Sequence, residues 1–146
     1  MDQAIQDFVG GKRIAVAGVS RSGGKFGNMA VTELKKRGYQ VFVVHPEVRQ
    51  INGEACFPDL HTLQGNLDGV LISLSGKQAA AVMQDTAEIG VRNVWLQQNA
   101  QTPELLALAD SLGLNLVHGK CILMYAPPVR SYHRWHRFFA RLMGQL

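Results

Sequence analysis

Short apolar runs alternate with amphipathic stretches along most of this chain. Residues 13–18, 40–44, 69–74, 92–97 and 114–119 form five runs rich in Val, Ile and Leu. Their apolar character is continuous, which is typical of strands covered on both faces. The stretches 26–37, 77–89 and 103–112 between them each end at a glycine and indicate helices. Residues 1–11 predict another short helix, and residues 46–66 predict a long connection with little regular structure.

This alternation predicts the architecture of the domain. Neighbouring strands that run in the same direction need a crossover, and crossovers are nearly always right-handed helices. We therefore expect an α/β fold, a Rossmann-like doubly wound parallel sheet of about five strands in three α/β/α layers. Residues 1–128 are predicted to form this domain. Residues 129–146 are predicted to form a basic amphipathic C-terminal helix that packs on the domain or on a partner.

Composition narrows the class of protein. The chain has 146 residues, 47% hydrophobic content and 18% charged residues, which is typical of a single globular domain. It shows no apolar segment of signal-peptide or membrane-span type, so we expect a cytoplasmic protein with no transmembrane segment. Cys56 and Cys121 have no pairing motif and are expected to be reduced thiols. The formal net charge is +4, and its excess lies after residue 119, which favours anionic partners.

Four glycines follow the first predicted strand, where a doubly wound fold binds phosphates. Gly18, Gly23, Gly24 and Gly27 allow backbone amides to approach an anion at a helix N-terminus. The loop is not a Walker A motif, because Phe26 stands where the magnesium-binding hydroxyl is needed. It also departs from the dinucleotide spacing GxGxxG. A tight turn without a ligand remains the alternative.

The chemistry of the flanking residues favours a ligand rich in phosphate. Arg21 and Lys25 can form charge-assisted hydrogen bonds with phosphate oxygens. The second predicted strand is followed by His45 and Pro46, where an NAD site has an acid for the ribose, and Glu47 lies beyond the proline. A histidine can donate to a phosphate that an acid would repel. These residues favour CoA or an NADP-like ligand over NAD, without excluding NAD.

Six segments in order carry a family resemblance. They are IAVAGVSRS, GYQVFVVHPE, INGEACFPDL, DGVLISL, VRNVWLQ and VHGKCI, and together they cover about residues 12–123. In this respect the chain resembles the small bacterial and archaeal CoA-binding proteins, which are similar to the CoA-binding domain of the succinyl-CoA synthetase alpha chain. The resemblance implies coenzyme A or acyl-CoA as cofactor, with its pyrophosphate and 3'-phosphate over the first loop. Adenosine and pantetheine would follow residues after the second and third predicted strands.

The resemblance also implies a set of site residues. Gly18, Val19 and Ser20 match the first-loop motif, Pro46 the proline after the second strand, Gln97 a later glutamine and Cys121 a late cysteine. Two departures are His45, where relatives commonly have Asn, and residues 22–25, where the loop usually contains proline. The predicted cofactor-binding set is Gly18, Val19, Ser20, Arg21, Lys25, Phe26, His45, Pro46, Ser73, Leu74, Gln97 and Cys121.

No catalytic set is visible in the sequence. Ser20 lacks a GxSxG elbow, and no His/Asp pair is placed to activate it. His118, Cys121, His133 and His136 superficially resemble a zinc set, but their spacing fits no common pattern, so no metal is expected. Cys121 is either a small buried hydrophobe or a reactive thiol near the pantetheine end.

These observations favour a stand-alone CoA or acyl-CoA binding protein, and whether it is an enzyme stays open. One alternative is a small NAD(P)-binding oxidoreductase or redox-sensing protein. Another is an interaction protein that uses the basic C-terminal helix. The aromatic stripe of that helix can pack on a second subunit, so a homodimer is possible. No motif in the chain indicates nucleic-acid binding.

Overall fold

The structure is a computed structural model that describes residues 2–127. The strands are β1 (Arg13–Ala17), β2 (Gln40–Val44), β3 (Gln50–Ile51), β4 (Glu54–Phe57), β5 (Gly69–Ile72), β6 (Asn93–Leu96) and β7 (Asn115–Val117). The helices are α1 (Asp2–Val9), α2 (Phe26–Lys36), α3 (Gly76–Glu88) and α4 (Pro103–Ser111), with 3₁₀ helices at His61–Leu63 and Ile122–Met124. The predicted C-terminal helix at 129–146 lies outside the described residues.

The strands form one sheet in the order β3-β4-β2-β1-β5-β6-β7. The five predicted strands β1, β2, β5, β6 and β7 are all present and pair in parallel, which confirms the doubly wound α/β fold. The expectation of little regular structure over 46–66 was wrong. This segment adds β4, which is parallel to β2, and β3, which is antiparallel to β4. Both strands are short and half-exposed at the sheet edge, so they lack the long apolar run of a central strand.

Two apolar layers sandwich the sheet. Along β1, Ile14 and Val16 face the layer that contains α1 and α2, whereas Ala15 faces the layer that contains α3 and α4. The alternation follows from the period of two along a strand, and it explains why a strand covered on both sides is apolar at every position. Trp95 lies fully buried on the α1 side, and its indole donates to the Lys120 carbonyl at 2.9 Å.

The helices begin and end where the sequence indicates. Thr102 caps α4, since its hydroxyl accepts from the Leu105 amide at 3.2 Å. Gly38, Gly90 and Gly113 follow α2, α3 and α4 with φ values of 93°, 82° and 69°, in the left-handed region that favours glycine. Among residues 2–127, no helix combines the length and apolar character needed to cross a membrane.

The loop after β1 is held in place by close backbone packing. The chain moves from β1 to β2 on one side and later to β5 on the other, so the end of β1 lies at the switch point of the sheet. At Gly27 in the first turn of α2, an added Cβ would lie 2.5 Å from the Gly18 carbonyl oxygen. At Gly18, an added Cβ would lie 2.2 Å from the Ser73 carbonyl oxygen after β5. These two glycines therefore let α2, the loop and β5 touch directly.

Asp68 ties the opposite, amino edge of the sheet together. One carboxylate oxygen accepts from the backbone amides of Lys12 and Arg13, each at 2.9 Å. The other accepts from the Arg13 guanidinium at 3.0 Å. The hydrogen bond from the Arg13 side chain is the main cause that lowers the pKa of Asp68 to about 2.

Replacing Asp68 should destabilise the fold in a pH-dependent way. We expect Asp68→Ala to lower the free energy of unfolding at pH 7 by about 1–3 kcal/mol, because hydrogen bonds to a charged group are lost. The native pKa lies below the usual value of about 4, so the stabilisation is complete above that pH and disappears towards pH 2. Denaturant titrations at several pH values measure the difference. Asp110→Ala, at an exposed position of α4, is the control.

The close packing at Gly27 yields a second prediction. We expect Gly27→Ala to lower the free energy of unfolding by about 1–3 kcal/mol, because a methyl group would overlap the Gly18 carbonyl. Gly24→Ala is the matched control, since its nearest atom lies 3.9 Å away, and it should change stability by less than about 0.5 kcal/mol. If both substitutions change the free energy of unfolding by the same small amount in urea denaturation, the loop can shift to make room for the methyl group and the prediction is wrong.

Candidate functional site

A cavity of about 670 Å³ lies at the carboxyl ends of β1, β2, β4 and β5. Its walls come from the loop after β1, from the residues that follow β2 and β4, and from one face of α3. This is the crevice at the switch point, where open α/β sheets bind ligands. The contributing segments are 17–22 with Lys25, 44–47, 58–60, Leu74 and, from α3, Gln78, Ala81, Val82 and Asp85.

Asn28 orders the first loop from within α2. Its side chain accepts from the Ser20 amide at 2.9 Å and donates to the Ser20 carbonyl at 2.9 Å. The same side-chain oxygen accepts from the Lys25 amide at 3.3 Å. The loop is therefore fastened at both ends to the first turn of the helix. It is also braced by a hydrogen bond of 2.8 Å between the hydroxyls of Ser20 and Ser22.

Several backbone amides in this loop are available to a ligand. The amides of Arg21, Gly24, Phe26 and Gly27 donate no hydrogen bond within residues 2–127. Phe26 and Gly27 open α2, where the helix dipole favours an anion. The amide of Ser20 is not available, because Asn28 occupies it. The loop thus keeps donors for an anion, although not at every position of the motif.

The cations of the loop differ in their partners. The Arg21 guanidinium forms an ion pair of 2.8 Å with Glu47, and both side chains are largely exposed. Lys25 makes no ion pair with any residue between 2 and 127. A bound phosphate would compete with Glu47 for Arg21, whereas the Lys25 ammonium has no competitor of that kind. Lys25 is therefore the stronger candidate for phosphate contact.

His45 is held in one orientation by its own backbone. Its Nδ1 atom accepts from the amides of Glu47 at 3.1 Å and Val48 at 3.3 Å. In the neutral ring this arrangement leaves the proton on Nε2. The imidazole can therefore donate one hydrogen bond to a ligand in the cavity that it lines.

Eight of the twelve predicted cofactor-binding residues meet at this cavity. They are Gly18, Val19, Ser20, Arg21, Lys25, His45, Pro46 and Leu74. Phe26 lines a smaller cavity of about 470 Å³ on the other side of the loop, beside Gly23 and Asn52. The backbone of Ser73 packs against Gly18. Their roles in ligand binding stay predictions.

Gln97 and Cys121 do not line the cavity. Gln97 is buried at the end of β6, where its side-chain carbonyl oxygen has no hydrogen-bond partner among residues 2–127. Cys121 is half-buried at the start of the last 3₁₀ helix. Of the residues that superficially resembled a zinc set, His118 and Cys121 are described, and His133 and His136 lie outside the described residues. The proposed roles of Gln97 and Cys121 also stay predictions.

Sequence reasoning missed three sets of residues at this site: Asn28, one face of α3, and the segment 58–60. Asn28 could have been noticed, because an amide at the third position of a helix can accept from the residue that precedes the helix. On α3, the spacing of Gln78, Val82 and Asp85 marks one helical face, but the amphipathic pattern alone does not tell which face meets a cavity. Pro58, Asp59 and Leu60 belong to the segment that was expected to be irregular.

Among residues 2–127, three acids line the cavity: Glu47 is paired with Arg21, and Asp59 and Asp85 have different surroundings. Asp59 accepts from the amide and the hydroxyl of Thr62, both at 2.9 Å, and these hydrogen bonds lower its pKa. Burial raises the pKa of Asp85, and the neighbouring Glu88 and Asp59 add to this rise while His61 opposes it. His61 and Glu88 are themselves joined by a hydrogen bond of 2.8 Å. The wall at α3 is therefore acidic, in contrast to the loop.

Curated relatives include parts of much larger proteins. The chain is 25% identical over 123 residues to "Acetate--CoA ligase [ADP-forming] I" of Archaeoglobus fulgidus, a match that covers 77% of this chain and 18% of the ligase. It is 24% identical over 111 residues to the uncharacterized protein YneT of Bacillus subtilis, covering 76% of this chain and 82% of YneT. The chain thus spans about a fifth of the ligase and most of the small protein.

Solved structures share the fold. A conserved hypothetical protein from Pyrococcus furiosus matches with a TM-score of 0.72 and 26% identity, covering 77% of this chain and 97% of that one. The family model described as "CoA binding domain" matches residues 12–127, which include every strand and the whole cavity wall. By this match, the chain belongs to the CoA binding domain family.

Proposed function

We propose that this chain binds coenzyme A or acyl-CoA and that it holds the ligand in the cavity at the carboxyl edge of the sheet. The phosphates would lie at the loop from Gly18 to Gly27, with Arg21 and Lys25 as charged donors. His45 and Pro46 would lie along the ligand beyond the loop. Ser73 and Leu74 would lie on the adenosine and pantetheine path, as the family resemblance implies, and Gln97 and Cys121, which do not line the cavity, stay predicted contacts of the ligand.

The observation that carries this proposal is the loop itself. Within residues 2–127 it has an unbonded amide at Arg21, which lines the 670 Å³ cavity, and further unbonded amides at Gly24 and Phe26, which line the smaller cavity of about 470 Å³. Backbone donors at a helix N-terminus suit a phosphate group. The loop is also ordered by Asn28 before any ligand arrives, so little conformational entropy is lost on binding.

The relatives support the choice of ligand. The Archaeoglobus fulgidus relative is named as an acetate–CoA ligase, and the chain matches 18% of it. We infer that the shared part serves CoA binding and that small acyl thioesters are natural candidates for the ligand. The chemistry of such a ligase is not carried over, since most of its length has no counterpart in the match.

The side chains around the cavity support binding without catalysis. The hydroxyl of Ser20 is hydrogen-bonded to Ser22, and the acceptor nitrogen of His45 is occupied by two backbone amides. Neither group is paired with the other as nucleophile and base, which is the arrangement that acyl transfer through a serine requires. The NAD alternative is weaker, because Glu47, the acid that follows the second predicted strand, is paired with Arg21.

Calorimetric titration of the purified protein tests the choice of ligand. We expect CoA and acetyl-CoA to bind saturably, and NADH, NADPH and ATP to bind at least about tenfold more weakly, because the site suits a ligand with an additional 3'-phosphate and a pantetheine arm. The order should persist at raised salt, with all affinities reduced by screening. Saturable binding of NADH without a response to CoA would contradict the proposal and favour an oxidoreductase or a redox sensor.

Replacing Lys25 tests the position of the phosphates. We expect Lys25→Ala to weaken CoA binding about fivefold to thirtyfold, roughly 1–2 kcal/mol, because a charge-assisted hydrogen bond is lost. Lys12→Ala is the charge-matched control, since Lys12 lies exposed at the opposite edge of the sheet and contacts Asp68 only through its backbone. If both variants bind CoA like the parent protein, the phosphates do not lie at this loop.

A further inference from the structure

Positively and negatively charged side chains lie at different parts of the cavity. Arg21, which is paired with Glu47, and Lys25 stand at the loop, whereas Asp59 and Asp85 belong to the wall formed by α3 and the segment after β4. Gln78 and Asp85 both line the cavity and are seven residues apart on α3, which corresponds to about 10 Å along the helix. A ligand that places phosphates at the loop must therefore present a different chemical group near Asp85, because two negative charges would repel.

Asp85 has hydrogen-bonding capacity that the protein does not use. Its carboxylate accepts no hydrogen bond within residues 2–127, although the side chain is half-buried. Asp59 differs in this respect, because it caps the 3₁₀ helix through Thr62. His61 and Glu88 are engaged with each other. Of the acids that line this wall, Asp85 is the one left to accept from a ligand.

Several of the residues that line the cavity are apolar. Val44, Pro58, Leu60, Leu74 and Val82 line the cavity from β2, the segment after β4, the end of β5 and α3. Apolar walls with few polar groups are typical of sites that bury an aromatic ring and orient it by hydrogen bonds at its edge. The adenine of CoA is such a ring, and its exocyclic N6 amine is a donor.

We propose that Asp85 accepts a hydrogen bond from the N6 amine of the ligand's adenine, so that the base lies between α3 and Pro58–Leu60. This inference rests on the proposed CoA binding and goes beyond it by assigning the base to one end of the cavity. Asp85 is then a specificity residue: it favours adenine over a base with a carbonyl at that position, because two facing acceptors would repel each other. The partial burial that raises its pKa also strengthens a hydrogen bond made there.

Two variants of equal charge test the contact. Asp85→Asn keeps an acceptor oxygen, Asp85→Ala removes it, and both remove the negative charge, so their comparison is free of any change in repulsion towards the phosphates. We expect Asp85→Ala to bind CoA about fivefold to tenfold more weakly than Asp85→Asn. Both should bind 1,N6-etheno-CoA equally, because its N6 amine is blocked. Asp110→Ala, on the exposed face of α4, should match the parent protein with both ligands.

The titrations separate the two proposals. They are made in buffer with EDTA, because the ligand atoms of His61, Asp85 and Glu88 lie within 4.8 Å of one another and a stray metal ion there would compete for Asp85. If the parent protein does not bind CoA, the proposed function fails and this inference fails with it. If CoA binds and the two Asp85 variants bind it equally, only this inference is overturned. Titration with 3',5'-ADP, which lacks the pantetheine arm, should show the same difference between the variants. A difference with CoA that is absent with 3',5'-ADP would assign Asp85 to the arm and would also overturn the inference. Binding of etheno-CoA by each variant shows that its site is folded.

Discussion

The direct contact of backbone with backbone at Gly18, Gly27 and Ser73 is the constraint on which the site depends. A side chain at either glycine would separate the first loop from α2 or from β5. With the contact in place, Asn28 can reach the Ser20 amide and carbonyl, and residues 18–22 stay at the edge of the cavity. Gly18 and Gly27 are therefore needed for packing inside the protein, because the space that a Cβ would occupy is filled by the protein's own carbonyl groups.

The charged groups around the cavity limit the orientation in which a ligand can bind. The loop has cations and free amides, and the wall at α3 has acids, one of which is already occupied by Thr62. A polyanion has one favourable direction in such a cavity, with its phosphates at the loop. The net positive charge of the whole chain therefore does not predict the charge of the site. The cavity lining includes the acids Glu47, Asp59 and Asp85 as well as the cations Arg21 and Lys25.

The central sheet could be predicted from sequence because its strands are covered on both sides. β1, β5 and β6 are almost entirely buried, so their apolar runs stand out, and each helix after them ends at a left-handed glycine. β3 and β4 could not be predicted in this way, since their residues are partly exposed and their pairing depends on contact with β2. The loop side of the cavity was predicted from its glycines and cations. The α3 wall of the cavity was not predicted, because the burial and the neighbours of Asp85 are set by the folded chain and leave no mark in the sequence pattern.

The hairpin of β3 and β4 has a consequence for how sites of this kind can diversify. Its turn brings Asn52 next to Gly23. A Cβ added at Gly23 would lie 3.0 Å from the side-chain Nδ2 atom of Asn52. The hairpin thus packs against the loop at Gly23, beside the smaller cavity that Phe26 also lines. Insertions or deletions in this hairpin would therefore change the shape of the loop without altering the pairing of β1 with β5 and of β5 with β6.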